Sequence, residues 1–315
     1  MRNKGMILTV TANAAIDKRY VVEGFGVGNV NRVKSCAATA GGKGLNVSRV
    51  AHIAGEQVTA TGFLGGHSGA FIDEHVKSEG IISDFVWCNG ESRTCINIWD
   101  EVQKKQTEFL EPGFSVSEYE LDKMRHKFDK LVAKCDLVTI SGSTPKGTDA
   151  GLYKEMIRKV KEAGKRVILD TSGKLLEECI QAQPSMIKPN IDEIRMLTGK
   201  PMNSKEALIR AAEDIHDEGI EVVVISLGGD GSLVACEEGV YQVQVPKIQA
   251  VNTVGCGDSM IAGFAVGFVR NLPIEETIRL ASAISAANAM RLETGYFLKT
   301  DMEKLLPEIA IKKLR

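Results

Sequence analysis

At 315 residues, 43% of them apolar, the chain can build a sizeable core, as one large α/β domain with a small appendage or as two domains. A formal charge of −2 without any basic run argues against nucleic acid as a partner, and no apolar stretch is long enough for a membrane helix. The seven cysteines are odd in number and form no CxxC pair, which argues against a disulfide framework or a thiolate metal site and fits a reduced, cytoplasmic protein.

Short β-branched runs alternate with longer helical patterns. Strands are expected at Ile7–Thr11, Val58–Phe63, Leu137–Ser141, Arg166–Asp170, Val222–Ser226, Leu233–Cys236 and Val240–Val245. Helices are expected at Asn46–Ala54, Gly69–Ser78, Ser117–Lys134, Asp149–Ala163, Lys174–Ala182, Ser204–Asp217, Gly257–Arg270, Ile274–Leu292 and Thr300–Lys312. Gly55, Gly80, Gly164 and Gly219 fall where helices should end. The runs Leu137–Ile140, Val167–Leu169 and Val222–Ile225 are apolar throughout, as in strands buried on both faces. A doubly wound, mostly parallel α/β sheet covered by helices follows.

Two segments break this rhythm. Residues 18–39 and 86–107 are strand-like with polar alternation, and read as insertions into a single domain spanning 1–315 that form a small sheet at its edge. Such a sheet suits either a lid that keeps water from a reaction or a plain pair of surface hairpins.

Several clusters carry chemistry. Asp17 follows the first strand, where a carboxylate can bind sugar hydroxyls or simply form a turn. In Gly41-Gly42-Lys43-Gly44-Leu45-Asn46, glycines allow close backbone approach to a ligand, Lys43 adds positive charge, and Asn46 can cap a helix or bind a hydroxyl. This is no Walker A loop, since Gly44 stands where Ser or Thr would be required. The Arg93 guanidinium can clamp a phosphate or be a solvated charge. Asn190 and Glu193 stand at capping-box spacing, and the pair can alternatively hold magnesium waters near a triphosphate. The glycines of Ser226-Leu227-Gly228-Gly229-Asp230-Gly231 follow a buried strand, as either a ligand crevice or a tight hairpin.

The most telling stretch is Thr253-Val254-Gly255-Cys256-Gly257-Asp258-Ser259, which runs directly into an apolar helix. Such a turn can gather N–H groups at the positive end of a helix, beside one carboxylate. An anion hole next to Asp258 suits phosphoryl transfer to a hydroxyl; a Gly-rich turn capping a core helix is the plainer alternative.

Together, in this order, these motifs resemble the ribokinase-like (PfkB) carbohydrate kinases over essentially the whole chain. The form Gly-Gly-Lys-Gly-Leu-Asn, the run Ser141-Gly142-Ser143-Thr144-Pro145-Lys146-Gly147 and Glu111-Pro112-Gly113 are similar to the family's hexose-phosphate branch, the 1-phosphofructokinases and tagatose-6-phosphate kinases. The resemblance implies an ATP- and magnesium-dependent kinase with fructose 1-phosphate as first choice of acceptor. Tagatose 6-phosphate, an unphosphorylated sugar or nucleoside, and a non-catalytic sugar-phosphate sensor are its alternatives. It implies Asp258 as catalytic base, with Gly255, Cys256 and Gly257 as the anion hole. Lys188, Asn190, Ser226 to Gly231 and Asn288 would line the ATP side, and Asp17, Gly42, Lys43, Asn46, Arg93 and Ser141 would face the sugar phosphate. Asn190 and Glu193 would act on magnesium through water. A homodimer through the lid sheets is also implied, with Val21, Val22, Val30, Val33, Ile96, Ile98 and Trp99 in the contact. The chain departs from the branch at Ala14, Cys95, Asn97, Leu110 and Asn252; Asn97 stands where a lysine is common, so the phosphate pocket lacks one positive charge.

Overall fold

The computed structural model describes residues 5–315. In chain order it runs β1 (Met6–Thr11), β2 (Ala15–Val22), β3 (Val33–Gly41), α1 (Lys43–Ala54), β4 (Gln57–Leu64), α2 (Gly66–Ser78), β5 (Ile82–Ser83), β6 (Val86–Trp87), β7 (Arg93–Asp100) and β8 (Lys105–Leu110). It continues with α3 (Glu118–Val132), β9 (Leu137–Ser141), α4 (Ala150–Glu162), β10 (Arg166–Asp170), α5 (Gly173–Cys179), β11 (Met186–Ile187), α6 (Ile191–Thr198), α7 (Lys205–Asp217) and β12 (Val222–Ser226). Last come β13 (Ser232–Cys236), β14 (Gly239–Gln244), α8 (Cys256–Val269), α9 (Ile274–Ala289), α10 (Lys299–Leu305) and β15 (Ala310–Lys313).

The main sheet has the order β15-β14-β13-β12-β11-β10-β9-β1-β4-β5, with β6 also paired to β4. Every pair from β12 across to β5 is parallel, while β13, β14 and β15 continue as antiparallel strands. The wholly apolar strands have helices on both faces: one buried cluster lies under α1, α2, α8 and α9, the other under α3 to α7. From β1 the chain winds one way to β4, then returns to β9 on the other side of β1. That reversal opens a crevice at the carboxyl ends of β1 and β9, the usual ligand position in an open α/β sheet.

A separate small sheet, ordered β3-β2-β7-β8, stands beside this crevice. Its strands cover residues 15–41 and 93–110, whereas Val86–Trp87 joins β4 of the main sheet. The expected helix 300–312 is half wrong. It ends at Leu305, and Ala310–Lys313 pairs antiparallel with β14. Pro307 cannot continue the helical hydrogen bonding, and the exposed edge of β14 takes the following residues as a strand. The two-residue strand β11 is too short to leave a period in the sequence. Among the described residues no helix is long and apolar enough to cross a membrane.

Helices α8 and α9 pack nearly backbone to backbone. A Cβ on Gly263 would lie 2.4 Å from the Ala281 Cα, and one on Gly267 would lie 2.4 Å from the Thr277 Cγ2. Overpacking at such a site costs about 1–3 kcal/mol. Gly263→Val is therefore expected to lower the unfolding free energy by that order, read as a lower denaturant midpoint with an unchanged m-value; a midpoint equal to wild type would contradict this packing.

Candidate active site

The turn ahead of α8 is held in a shape that only glycine tolerates. Gly255 has φ of 80°, and a Cβ there would meet the Thr294 Cγ2 at 2.8 Å and the Gly295 nitrogen at 2.9 Å. The Cys256 N–H donates to the Thr253 carbonyl at 3.3 Å, and the Ser259 N–H to the Gly255 carbonyl at 2.8 Å. The amides of Gly257 and Asp258 thus belong to the first turn, which a helix leaves without intrahelical acceptors. Cys256, expected to share in the anion hole, has its amide in the turn and its Sγ 3.4 Å from the Asn288 Nδ2.

Asp258 is almost fully buried, and its Oδ2 accepts from the Asn46 Nδ2 at 2.8 Å. Burial pushes its pKa up to about 6, aided by the nearby Asp170 carboxylate and opposed by Lys43, the Asn46 hydrogen bond and Lys188. Asp170 ends β10 and receives Lys43 Nζ at 3.3 Å and Lys188 Nζ at 3.7 Å. Burial works against its charge, but the two ammonium groups outweigh it and hold its pKa below the ordinary value. Lys43 is likewise penalised by burial, yet Asp170, Asp258 and Glu193 keep its pKa raised. Two carboxylates and two ammonium groups therefore converge at the carboxyl ends of the strands. A Cβ on Gly257 would come within 3.0 Å of the Lys188 Nζ, so a cation faces the positive end of α8. An anion seated between them would be attracted by both.

Asn190 and Glu193 form the capping box of α6: the Glu193 N–H donates to Asn190 Oδ1 and the Asn190 N–H to Glu193 Oε2, each at 2.9 Å. Ser226 joins this segment through its N–H to the Pro189 carbonyl at 3.0 Å. The loop from Leu227 to Gly231 is a tight connection between β12 and β13, closed by the Leu227 N–H on the Gly231 carbonyl. Gly228 and Gly229 nevertheless border open space: a Cβ on either would meet nothing within 4 Å, whereas one on Gly231 would strike the Val243 carbonyl. The hairpin alternative thus holds for the backbone, while Asp230 and two bare glycines line its outer edge. Asn288, expected on the nucleotide side, is fully buried. It donates to the Val254 carbonyl at 3.2 Å and accepts from the Tyr296 N–H at 3.1 Å, so it braces the turn ahead of α8.

On the small-sheet side, Gly42 is the N-cap of α1 with φ of 100°, and its N–H donates to Asp17 Oδ2 at 3.3 Å. Helix α1 begins at Lys43, three residues earlier than expected, so Asn46 is no cap and its amide is available to Asp258. Burial raises the Asp17 pKa against the Gly42 N–H and the charges of Arg93 and Arg49. Arg93 donates to the carbonyls of Asn13 at 3.0 Å and Glu111 at 3.1 Å, which fixes its guanidinium beside Asp17. Ser141 ends β9, and its buried Oγ has no hydrogen-bond partner among the described residues. The register pairs Asp17 with Cys95 and Arg19 with Asn97 on one face of the small sheet. Arg19 thus stands beside the position that lacks its common lysine.

Sequence reasoning missed Asp170 and Arg49. For Asp170 a signal existed, a carboxylate closing an apolar parallel strand, whereas Asp17, expected just after the first strand, lies inside β2 of the small sheet. Arg49 was detectable only as a cation three residues after Asn46 in a helix.

The pfkB family carbohydrate kinase model matches residues 8–301. Over 309 residues the chain is 38% identical to a tagatose-6-phosphate kinase of Staphylococcus epidermidis, covering 97% of this chain and 99% of the relative. A structure described as a possible 1-phosphofructokinase from Thermotoga maritima matches with TM-score 0.89 and 28% identity over 98% of this chain and all (100%) of the other. A tetrameric inhibited form of phosphofructokinase-2 from Escherichia coli matches with TM-score 0.88 and 25% identity over 96% and 99% of the two chains. By sequence along nearly its whole length, and by fold, the chain belongs to the pfkB family of carbohydrate kinases.

Proposed function

We propose that this protein transfers the γ-phosphoryl group of ATP to a hydroxyl of a ketohexose phosphate. The observation that carries the reading is Asp258: a buried carboxylate at the amino end of α8, anchored through one oxygen by Asn46, with Lys188 facing the same helix end. The second carboxylate oxygen accepts the proton of the acceptor hydroxyl as that oxygen bonds to the γ-phosphorus and the bond to the β-phosphate oxygen breaks, releasing ADP. The amides of Gly257 and Asp258, with Lys188, stabilise charge on the transferring oxygens. The raised pKa of Asp258 makes it a better base than an ordinary carboxylate while leaving it ionised at neutral pH.

Among the described residues no group of three or more His, Cys, Asp or Glu side chains is arranged to hold a metal ion. Asn190 and Glu193 would suit a magnesium ion held mainly by phosphate oxygens and water, which would neutralise triphosphate charge. Asn190 and Glu193 are each committed through one oxygen to the α6 cap; the free Glu193 Oε1 and the second lone pair of Asn190 Oδ1 can accept from such waters.

Fructose 1-phosphate is our first choice of acceptor within the hexose-phosphate branch that the N-terminal motifs resemble. A second reading, tagatose 6-phosphate, is favoured by the 38% identical relative. Both place a phosphate near Arg93 and Lys43, with Arg19 beside Asn97 adding positive charge. The test is ADP release from ATP with fructose 1-phosphate, tagatose 6-phosphate, fructose and ribose. We expect kcat/KM for a phosphorylated ketohexose to exceed that for either bare sugar by at least about tenfold, since one charge-assisted contact contributes about 1.5–3 kcal/mol. Faster turnover of a bare sugar would overturn the acceptor class, and ligand binding without ADP release would favour a sensor.

We also propose that two copies pair through the small sheets. Val30 and Val33 are exposed, whereas Val22 and Ile98, expected in the same contact, are buried within the chain and are withdrawn from it. Phe109 and Leu110 of β8 are also exposed and extend the apolar surface. Sedimentation is expected to give a dimer or larger at micromolar concentration; monomer alone would refute the pairing.

A further inference from the structure

The Asn46 amide can face Asp258 two ways round, and only one suits a base. Nδ2 towards the carboxylate donates a hydrogen bond; the reverse would set a carbonyl oxygen against a carboxylate oxygen. Arg49 lies one turn along α1, where side chains three residues apart meet. It is nearly buried, and its Nη1 donates to Asn46 Oδ1 at 3.3 Å. A guanidinium has donors only and stays protonated, so it can donate only to the oxygen end of that amide. The same side chain is itself fixed at three further points: Nε to Glu79 Oε1 at 2.7 Å, Nη2 to the Ala40 carbonyl at 2.7 Å, and Nη1 to the Thr294 carbonyl at 3.3 Å. These anchors come from the end of α2, the end of β3 and the loop against which Gly255 packs.

We infer that Arg49 is a positioning residue that sets the orientation of the Asn46 amide and thereby holds Asp258 as a hydrogen-bonded carboxylate. The inference deepens the kinase reading and rests on it for its effect on turnover. The charged groups facing Asp258 are Asp170 from β10, Lys43 from α1 and Lys188 from the segment after β11, with the Cys256 thiol on its own helix. Arg49 faces Glu79 and Asp17. With Arg49 removed, the amide samples both orientations, the donated hydrogen bond is lost part of the time, and protonated Asp258 is favoured.

The test compares wild type with Arg49→Met, Arg49→Lys and Glu79→Gln. Two quantities are read: the pH dependence of kcat/KM for ADP formation, and the carboxyl 13C titration of Asp258, its resonance assigned by its loss in Asp258→Asn. In Arg49→Met both the acid limb and the titration are expected to move up by about half to one pH unit, a fraction of one charge-assisted hydrogen bond that is lost part of the time. Arg49→Lys should restore part of that shift. Glu79→Gln keeps the Arg49–Asn46 contact and should lower only the melting temperature. An Asp258 titration unmoved in Arg49→Met, or moved equally in Glu79→Gln, would overturn the inference and leave Arg49 a structural tie. Should Arg49→Met fail to fold, the same two readings on Arg49→Ala, which likewise removes the donor to Asn46 Oδ1, decide: no shift in either overturns the inference. Full turnover by Asp258→Asn would instead sink the base reading, while the 13C titration would still report whether Arg49 governs that carboxylate.

Discussion

Asp258→Asn is expected to lower kcat by about 10³-fold, within the range supplied by a positioned general base, with little change in ATP affinity. The substitution preserves shape and removes the carboxylate's charge and its ability to accept a proton at neutral pH, while the amides of residues 257 and 258 and the Lys188 ammonium remain. The same variant should be more stable than wild type at pH 7.5. Asp258 has a folded-state pKa raised to about 6 from an ordinary 3.8, so the native protein binds that proton more tightly than the unfolded chain. Ionised Asp258 therefore costs stability, on the order of 1–3 kcal/mol, and the cost fades as pH falls through 6 towards 4. Thermal melts of both proteins across that range check the sign. Normal turnover in the variant would remove Asp258 from the chemistry, and equal stability at every pH would show that its carboxylate is not strained.

Asp170→Asn should have two effects of opposite character. It leaves the Lys43 and Lys188 ammonium groups without their shared carboxylate, and loss of one partner from a buried ion pair costs about 3–5 kcal/mol. The Asp170 pKa is held below its ordinary value, so its stabilisation is present above the unfolded carboxylate pKa near 4 and is lost as pH falls through the folded value. The stability gap between variant and wild type should accordingly narrow in acid. The second effect falls on Asp258, because a like charge that raised its pKa is gone. The acid limb of kcat/KM should move down by about half to one pH unit. This shift separates the enzyme's group from a substrate phosphate, whose own second ionisation near pH 6 is the same in both assays. An acid limb that stays in place in Asp170→Asn would assign that limb to the substrate.

Local chemistry carried most of the fold. Apolar strands such as Leu137–Ile140, each followed by a helical period, required a parallel sheet covered on both faces, and the helix starts marked by Ser117, Asp149, Asn190 and Ser204 all cap helices. The turn at Gly255 to Asp258 was legible for the same reason: a glycine forced to positive φ, then a helix, is a local arrangement. Arg166–Asp170 was readable as a strand, but not as the carrier of a carboxylate placed between two lysines that lie 127 residues before it and 18 after it in the chain. The end of the chain misled, because Ala310–Lys313 is a strand only where the β14 edge offers a partner.

By itself the sequence determined the parallel α/β core, the kinase family and the helix end that carries Asp258, since periodicity, caps and glycine-dependent turns act over a few residues. Tertiary structure alone decided that Asn46 faces Asp258 rather than caps α1, that Arg49 orients it, that Asn288 braces the turn, and that Asp170 divides its charge between Lys43 and Lys188. Those arrangements depend on strand order at the crevice, which brings distant residues within hydrogen-bond reach and removes the water that would otherwise hold their pKa values at ordinary levels.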